Sequence, residues 1–209
     1  DIGCFSFHAT KNIVSGEGGA GLINSEKFVE RAEIVREKGT NRSKFLKGQV
    51  DKYTWVDIGS SFLPNELTAA FLLEQLKASK YITKRRIKIW NYYHDSFEDL
   101  EKLGIIRRPI IPENCKHNAH MYYLILKDLY TRDRFIVEME KRNIKCSFHY
   151  IPLHSSPFYR KKFPIKNEDD FKVTNELYGR IVRLPLWVGL EDFQEEIIKA
   201  AKEVISIIN

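Results

Sequence analysis

The chain has 209 residues, of which 43% are hydrophobic and 30% charged, and its formal net charge is +6. This length and composition fit a soluble globular protein of one large or two small domains with a hydrophobic core. No apolar run is long enough to span a membrane and no stretch resembles a signal peptide, so we expect a cytoplasmic protein. Three widely spaced cysteines, Cys4, Cys115 and Cys146, argue against a disulfide framework and for reduced thiols that pack in the fold.

The positive charge favours an anionic partner, either a nucleic acid or a nucleotide diphosphate substrate. The densest basic stretch, residues 80–88, lies inside a helical pattern. A solvated helix face is the commoner explanation of such a stretch. We therefore expect no nucleic-acid partner.

The first element is a short apolar strand around Cys4, Phe5 and Phe7, followed by a loop that contains Lys11. Functional residues collect where a strand passes into a loop. Ser6 lies five positions before Lys11 and several glycines follow, an arrangement that suits an amine forming a Schiff base with an aldehyde cofactor. The alternative is a solvated lysine on a loop, which spacing alone favours because most lysines are solvated.

Residues 18–24 indicate a second strand close to the first. Gly16, Gly18 and Gly21 formally match the dinucleotide-binding pattern G-x-G-x-x-G, but the glycines of that pattern open a helix and here an extended segment follows. We interpret these glycines as a tight turn that lets backbone pass close to a cofactor. A helix is then predicted from a cap at residues 24–25 to about residue 38, where Gly39 ends it, and residues 40–61 are predicted to form an ordered loop.

Asn65 is predicted to cap a long helix. Apolar residues follow helical spacing from residue 69 to 76 and again from 89 to 100, and no proline or glycine interrupts them. We therefore expect one unbroken helix that bridges two domains.

The rest of the chain alternates strand and helix patterns of a smaller α+β unit. Strands are predicted at residues 121–126 and 144–150, with a helix between them that Thr131 caps and Asn143 ends. The last helix has the most regular pattern, an apolar stripe that runs from Leu190 to Ile208.

His149 and Tyr150 end the second of these strands, before a proline turn, where their side chains could hydrogen-bond sugar or phosphate groups. A metal site at His149 and His154, or at His117 and His120, is a poor hypothesis, because no cysteine or carboxylate completes a ligand spacing. The sequence thus predicts no metal.

Three stretches of the chain resemble one protein family. Residues 6–12, SFHATKN, followed by residues 16–20, GEGGA, resemble the cofactor-lysine segment of the DegT/DnrJ/EryC1/StrS sugar aminotransferases. The resemblance implies a pyridoxal-phosphate enzyme with the α/β fold called fold type I. It further implies that Lys11 is catalytic and carries the cofactor, and that Ser6 binds the cofactor phosphate.

Residues 52–67 resemble the same family, and the full run is most similar to the branch that forms dTDP-4-amino-4,6-dideoxygalactose for surface glycans. Many members carry an asparagine at the position of Ser61, and it reaches the cofactor phosphate of the other subunit. The resemblance implies this role for Ser61, while a simple turn before a capped helix is the alternative. The third stretch, residues 149–154, implies that His149 approaches the sugar nucleotide with Tyr150 beside it.

The resemblance extends from Asp1 to the final helix, but family members carry a longer N-terminal portion. It implies the C-terminal part of such an enzyme, with residues 1–63 ending the large cofactor domain and residues 64–209 forming the small domain. The implied reaction transfers an amino group from glutamate to a nucleotide-linked 4-keto-6-deoxyhexose, in a homodimer or a complex with an N-terminal half. The alternative is a catalytically silent binding or interaction module, which the intact Lys11 argues against.

Overall fold

A computed structural model describes residues 1–163 and 168–208, and its contacts divide the chain into two compact units, Asp1–Lys80 and Tyr81–Asn209. The division falls about one helix beyond the expected domain boundary at residue 63, and the domain assignment itself stays a prediction. The two units differ in how they bury apolar side chains. Every buried hydrophobic side chain belongs to the second unit, whereas none is buried within residues 1–80, all of which are described.

The first unit opens with two antiparallel strands, β1 (Ile2–Ser6) and β2 (Gly19–Ile23), paired from Ile2 opposite Ile23 to Ser6 opposite Gly19. Both predicted strands are confirmed. A side chain on Gly19 would place its β-carbon 2.8 Å from the Phe5 carbonyl oxygen. Glycine at this position therefore allows the two strands to approach.

The helices of the first unit follow in chain order. A 3₁₀ turn (Glu26–Phe28) leads into α1 (Val29–Arg36), as predicted. A short helix, α2 (Arg42–Leu46), lies within the segment predicted as a loop. The next helix, α3 (Glu66–Lys77), begins at the predicted cap, where the Asn65 Oδ1 accepts a hydrogen bond from the Thr68 N–H at 2.8 Å.

The prediction of one unbroken helix is wrong. α3 ends at Lys77, and α4 (Ser79–Ser96) begins after Ala78. At 3.6 residues per turn, the apolar positions of residues 69–76 and those of residues 89–100 form stripes about 100° apart. One straight helix would not present them on a single face, and no proline or glycine marks the break in the sequence.

The second unit contains α4, α5 (Glu98–Lys102), β3 (Tyr122–Ile125), α6 (Leu129–Glu140), β4 (Ser147–Phe148), α7 (Pro157–Lys162), α8 (Lys172–Tyr178), β5 (Ile181–Leu184) and α9 (Gln194–Ile208). Its three strands form an antiparallel sheet in the order β3-β5-β4. The helices α6 and α9 pack against each other. The largest fully buried side chains come from helices and strands alike: Tyr93, Phe97, Tyr122, Leu124, Phe135, Val182 and Val204.

The two predicted boundaries of α6 have different outcomes. The cap of α6 is Asp128, whose Oδ1 accepts from the Thr131 N–H at 2.8 Å, so Thr131 lies inside the helix. The predicted stop at Asn143 is confirmed, because Asn143 has a left-handed backbone (φ 59°) and the Ile144 N–H after it donates to the Met139 carbonyl at 3.0 Å, which closes the end of α6. Asp and Thr both favour cap positions, so composition alone does not separate them.

The predicted strand at residues 144–150 is only partly confirmed, because β4 covers two of its residues. Ile144 and Cys146 are buried, but Phe148 and Tyr150 are exposed. Among the described residues β4 lies at the edge of the sheet and pairs with β5 on one side, so fewer hydrogen bonds hold its ends in the sheet.

The cysteines and the basic stretch also differ from expectation. Burial raises the pKa of the Cys146 thiol to about 12, whereas Cys4 and Cys115 are exposed rather than packed. Arg86 is buried, not solvated, and donates to the Ala119 carbonyl at 3.0 Å and the His120 carbonyl at 2.7 Å. No helix in the described part of the chain is long and apolar enough to cross a membrane.

Candidate active-site residues

Lys11 lies in a tight turn directly after β1. The Phe7 N–H donates to the Gly18 carbonyl at 2.8 Å and the Ser15 N–H donates to the Phe7 carbonyl at 2.7 Å, which closes residues 7–18 into a loop. The Lys11 N–H donates to the His8 carbonyl at 2.9 Å. The Lys11 side chain is exposed, and among the residues that the structure describes its amine has no hydrogen-bond or ion-pair partner.

His8 connects the two candidate cofactor ligands of this loop. Its amide N–H donates to the Ser6 Oγ at 3.5 Å, and its carbonyl accepts from Lys11. Its ring is held by the Thr10 Oγ1, 2.9 Å from Nδ1, and by the Glu17 Oε1, 3.4 Å from Nε2. Because the Ser6 oxygen acts as an acceptor here, its hydroxyl proton remains available for donation.

Ser15 supports the loop from its buried side, a role that the sequence pattern did not reveal. It is buried, and its Oγ donates to the Glu17 carbonyl at 2.9 Å. A β-carbon on Gly18 would lie 2.5 Å from that Oγ. The glycine thus lets Ser15 fill the inside of the loop and leaves Lys11 on its exposed side.

Ser61 is exposed and lies in a different segment of the first unit. The Ser60 N–H donates to the Val35 carbonyl at 2.9 Å, and the Phe62 N–H donates to the Arg36 carbonyl at 3.1 Å. These bonds hold Ser61 beside the end of α1. No hydrogen bond or ion pair between described residues connects it with the loop after β1.

A buried acid supports this second segment. Glu37 pairs with Ser61 in an antiparallel bridge, and its carboxylate lies 2.9 Å from the Arg36 guanidinium and 3.5 Å from that of Arg42. Its side chain is only 7% exposed. A buried carboxylate needs such cationic partners, so Glu37 ties α1 and α2 to the Ser61 segment.

His149 and Tyr150 lie in the second unit, directly after β4. The Arg183 Nη2 donates to the Phe148 carbonyl at 3.1 Å, and its guanidinium carbon lies 5.9 Å from the centre of the Tyr150 ring. Burial, and then the positive charge of Arg183, lower the pKa of His149. The sequence pattern did not reveal this contact.

The other histidines considered as metal ligands have structural contacts. The His154 Nε2 lies 2.7 Å from the Asn175 Oδ1, and its ring stacks on Phe171 with centres 3.9 Å apart. The His117 ring packs edge-on against Trp90 at 4.5 Å. Within residues 1–163 and 168–208, no group of three histidine, cysteine or acidic side chains is arranged to hold a metal ion.

The fold is that of the fold-type I aminotransferases. A protein of Streptococcus pneumoniae, Spr1654, assigned as a sugar aminotransferase and solved in its PMP form, matches with a TM-score of 0.85 at 23% identity. The match covers 100% of this chain and 54% of that one. The expected α/β fold class is thereby confirmed.

The model of the DegT/DnrJ/EryC1/StrS aminotransferase family matches residues 1–202, and the chain belongs to that family. An uncharacterized protein of Methanocaldococcus jannaschii is 34% identical over 99% of this chain and 54% of its own length. The UDP-4-amino-4,6-dideoxy-N-acetyl-beta-L-altrosamine transaminase of Helicobacter pylori is 30% identical over 80% of this chain and 44% of its own length. The chain thus spans about half the length of the curated relatives it matches.

Proposed function

We propose that the chain forms the C-terminal part of a pyridoxal-phosphate-dependent sugar aminotransferase. It would act in the cytoplasm and transfer an amino group from glutamate to a nucleotide-linked 4-keto-6-deoxyhexose. Family membership supports the reaction class. The observation that carries the assignment to this chain is the exposed Lys11 side chain, whose amine has no partner among the described residues. The Lys11 backbone is linked through His8 to the Ser6 hydroxyl.

The loop after β1 carries two of the groups that this cofactor would contact, the Lys11 amine and the Ser6 hydroxyl. When bound, pyridoxal phosphate supplies an electron sink for the carbon that carries the amino group. Lys11 would hold the cofactor through its amine, and as a free base the same amine would move the proton at that carbon. The Ser6 hydroxyl would donate a hydrogen bond to a phosphate oxygen.

Ser61 would serve the same phosphate from a second copy of the chain in a homodimer. Its exposure is compatible with a contact across an interface. Its support from α1 and the buried Glu37 would hold the hydroxyl in place. In this assignment residues 1–63 belong to the cofactor domain and residues 64–209 form the small domain.

An N-terminal half is needed to complete the first unit, supplied by a longer polypeptide or by another chain. The unit buries no hydrophobic side chain of its own, and Ile2, Phe5 and Leu22 on its two strands are each about half exposed. Burial of apolar surface is the main favourable term in folding, so we expect another layer of protein, from the N-terminal half, to pack against these strands.

The nucleotide sugar would contact His149 and Tyr150, both of which carry hydrogen-bonding groups. The similarity of residues 52–67 supports dTDP-4-amino-4,6-dideoxygalactose as the product, for use in surface polysaccharide or common-antigen synthesis.

The second candidate function is a catalytically silent binding module derived from such an enzyme. The observation in its favour is the serine at position 61, where many family members carry an asparagine.

An absorbance scan after addition of pyridoxal phosphate separates the two candidates. It is recorded for the chain alone and for the chain mixed with the N-terminal half of a family aminotransferase, and borohydride reduction followed by peptide mapping identifies the modified lysine. We expect a bound-cofactor band that Lys11→Ala abolishes. Lys80→Ala, which removes another exposed lysine of the same unit, should leave the band unchanged. A band that survives in Lys11→Ala, or no band under either condition, would overturn the enzyme assignment.

A further inference from the structure

His8 begins the turn that carries Lys11. The Lys11 N–H donates to the His8 carbonyl at 2.9 Å, so residues 8–11 form a β-turn with His8 as its first residue and Lys11 as its last. Asparagine and aspartate are common at the first position of such a turn, because their side-chain oxygen accepts a hydrogen bond from the backbone N–H two residues later. Histidine has no such oxygen, so here the acceptor must be a ring nitrogen.

The His8 ring supplies that acceptor. The Thr10 N–H donates to the His8 Nδ1 at 3.2 Å, and the Thr10 Oγ1 lies 2.9 Å from the same nitrogen. Nδ1 has the same place in the side chain as the Oδ1 of asparagine, since both atoms are bonded to Cγ. His8 therefore closes the turn with its ring in the way that asparagine does with its amide.

These contacts decide which ring nitrogen carries the proton. A backbone N–H can only donate, so the His8 Nδ1 must be unprotonated to accept from Thr10. The proton of the neutral ring is then on Nε2, an assignment that follows from the hydrogen-bond partners. The Glu17 Oε1 lies 3.4 Å from Nε2, and its negative charge favours a proton on that nitrogen. Thr10 and Glu17, each at a different nitrogen, thus select the same tautomer.

The ring also joins the two ends of the loop. His8 follows β1 and forms a bridge with Gly16, while Glu17 comes just before β2. Lys11 and Glu17 are the two charged residues in the loop sequence, residues 7–18. Glu17 pairs with the His8 ring, whereas the Lys11 amine has no partner among the described residues. The loop is therefore held by His8 in a way that leaves the lysine amine unengaged.

We propose that His8, as a neutral ring with its proton on Nε2, is a positioning residue that holds the turn from which Lys11 projects. The ring acts on Lys11 through the Thr10 backbone, and Glu17 supports it from the start of β2. The benefit for the chemistry rests on the proposed function. A lysine at the end of a closed turn has less conformational freedom to lose when its amine binds the cofactor.

The test compares three substitutions of His8 in the full chain without cofactor. His8→Asn keeps an acceptor in the place of Nδ1, His8→Gln carries the same amide one methylene further out, and His8→Ala has no acceptor. We expect the Thr10 amide to keep its hydrogen-exchange protection in His8→Asn and to lose about fivefold or more in the other two, which corresponds to one lost hydrogen bond. The Asn24 amide donates to the Asp1 carbonyl at 2.9 Å at the other end of the hairpin, and its protection should not change.

An NMR spectrum of the ring nitrogens tests the tautomer in the unaltered chain. The His8 signal is identified by its absence in His8→Asn. In the neutral ring we expect the proton on Nε2. Glu17→Ala should lower the share of this tautomer, because it removes the carboxylate beside Nε2.

The effect on the cofactor is measured from the pyridoxal-phosphate absorbance band, with the N-terminal half of a family aminotransferase present. We expect His8→Asn to bind the cofactor as tightly as the unaltered chain. His8→Gln and His8→Ala should bind it about fivefold more weakly, since the turn that holds Lys11 is no longer closed by the side chain.

The proposal is overturned if His8→Gln protects the Thr10 amide as well as His8→Asn does, or if His8→Ala loses no protection. It is also overturned if the neutral His8 ring carries its proton on Nδ1, or if His8→Ala binds the cofactor as tightly as the unaltered chain. If the unaltered chain forms no cofactor band, the proposed function fails, while hydrogen exchange and the tautomer still decide the role of His8. The two failures are therefore distinguishable.

Discussion

Gly39 and Gly59 cross with their backbones in direct contact. A β-carbon on Gly59 would lie 2.2 Å from the Gly39 amide nitrogen, and one on Gly39 would lie 1.7 Å from the Asp57 carbonyl oxygen. Gly39 also has a positive φ of 76°, a conformation that favours glycine. This crossing holds the segment before Ser61 against the end of α1.

Gly59→Ala should therefore displace the Ser61 segment. The new methyl group meets backbone that cannot move without breaking the hydrogen bond from the Lys38 N–H to the Ser60 carbonyl. We expect a cost of at least about 2 kcal/mol in local stability. The measurement is the hydrogen-exchange protection of the Lys38 amide.

Gly48→Ala is the matched control. Gly48 also has a positive φ, of 68°, but no atom lies within 4 Å of a β-carbon built there. Only the backbone strain remains, which costs about 1 kcal/mol. Equal loss of protection in both variants would show that the glycine crossing has no special role.

Tyr93 and Tyr122 are two buried tyrosines whose hydroxyl groups differ in hydrogen bonding, so their variants can be compared directly. Their rings lie 5.1 Å apart in the core, and both side chains are fully buried. The Tyr93 hydroxyl donates to the Pro185 carbonyl at 3.0 Å, whereas the Tyr122 hydroxyl has no partner among the described residues. Tyr93→Phe should lower the free energy of unfolding by about 1 kcal/mol, and Tyr122→Phe should leave it unchanged or raise it. Urea unfolding followed by tryptophan fluorescence gives both values, and a greater loss in Tyr122→Phe would contradict the assignment.

Glu191 should contribute to the acid stability of the second unit. The hydrogen bond from Arg85 lowers the pKa of Glu191 from 4.5 to about 2. A carboxylate with a lowered pKa in the folded state stabilises the protein fully above its unfolded pKa, and this contribution is lost as the pH falls from 4.5 towards 2. Glu191→Gln should therefore flatten the decline in stability over that interval.

The measurement is the urea midpoint as a function of pH. Glu195→Gln is the control, because Glu195 is an exposed carboxylate with no ion pair among the described residues. Its curve should follow that of the unaltered chain. If Glu191→Gln declines as steeply as the unaltered chain between pH 4.5 and 2, the Arg85 contact does not contribute to acid stability.

Local patterns predicted well those features that depend on neighbours in the sequence. The strand before Lys11, the Asn65 cap and the apolar stripe of the last helix were all predicted, because each follows from side-chain spacing within one element. The break at Ala78 was not predicted, since the residues on both sides favour a helix and no breaker separates them. The cap of α6 was misplaced by three residues because Asp128 and Thr131 are both good caps.

The same distinction between local and long-range features applies to the residues of the candidate site. Lys11 and Ser6 were proposed as cofactor ligands from the sequence because they lie in one short motif, which the family match covers, and that assignment stays a prediction. Ser15, Glu37 and Arg183 were not found, because their importance comes from what they contact. Arg183 approaches His149 only when β4 and β5 pair, although 34 positions separate them in the chain.

The amino-acid sequence by itself thus determined the family, the α/β class and the lysine at the end of the first strand. These features rest on residue identities and short-range spacing, which a single chain segment carries. The tertiary structure alone decided that the Lys11 amine has no partner among the described residues, that Gly39 and Gly59 support the Ser61 segment, and that Arg183 lies near His149. Those relationships depend on backbone crossing and strand pairing between distant segments, and hydrogen bonding and close packing are satisfied only after the chain has folded.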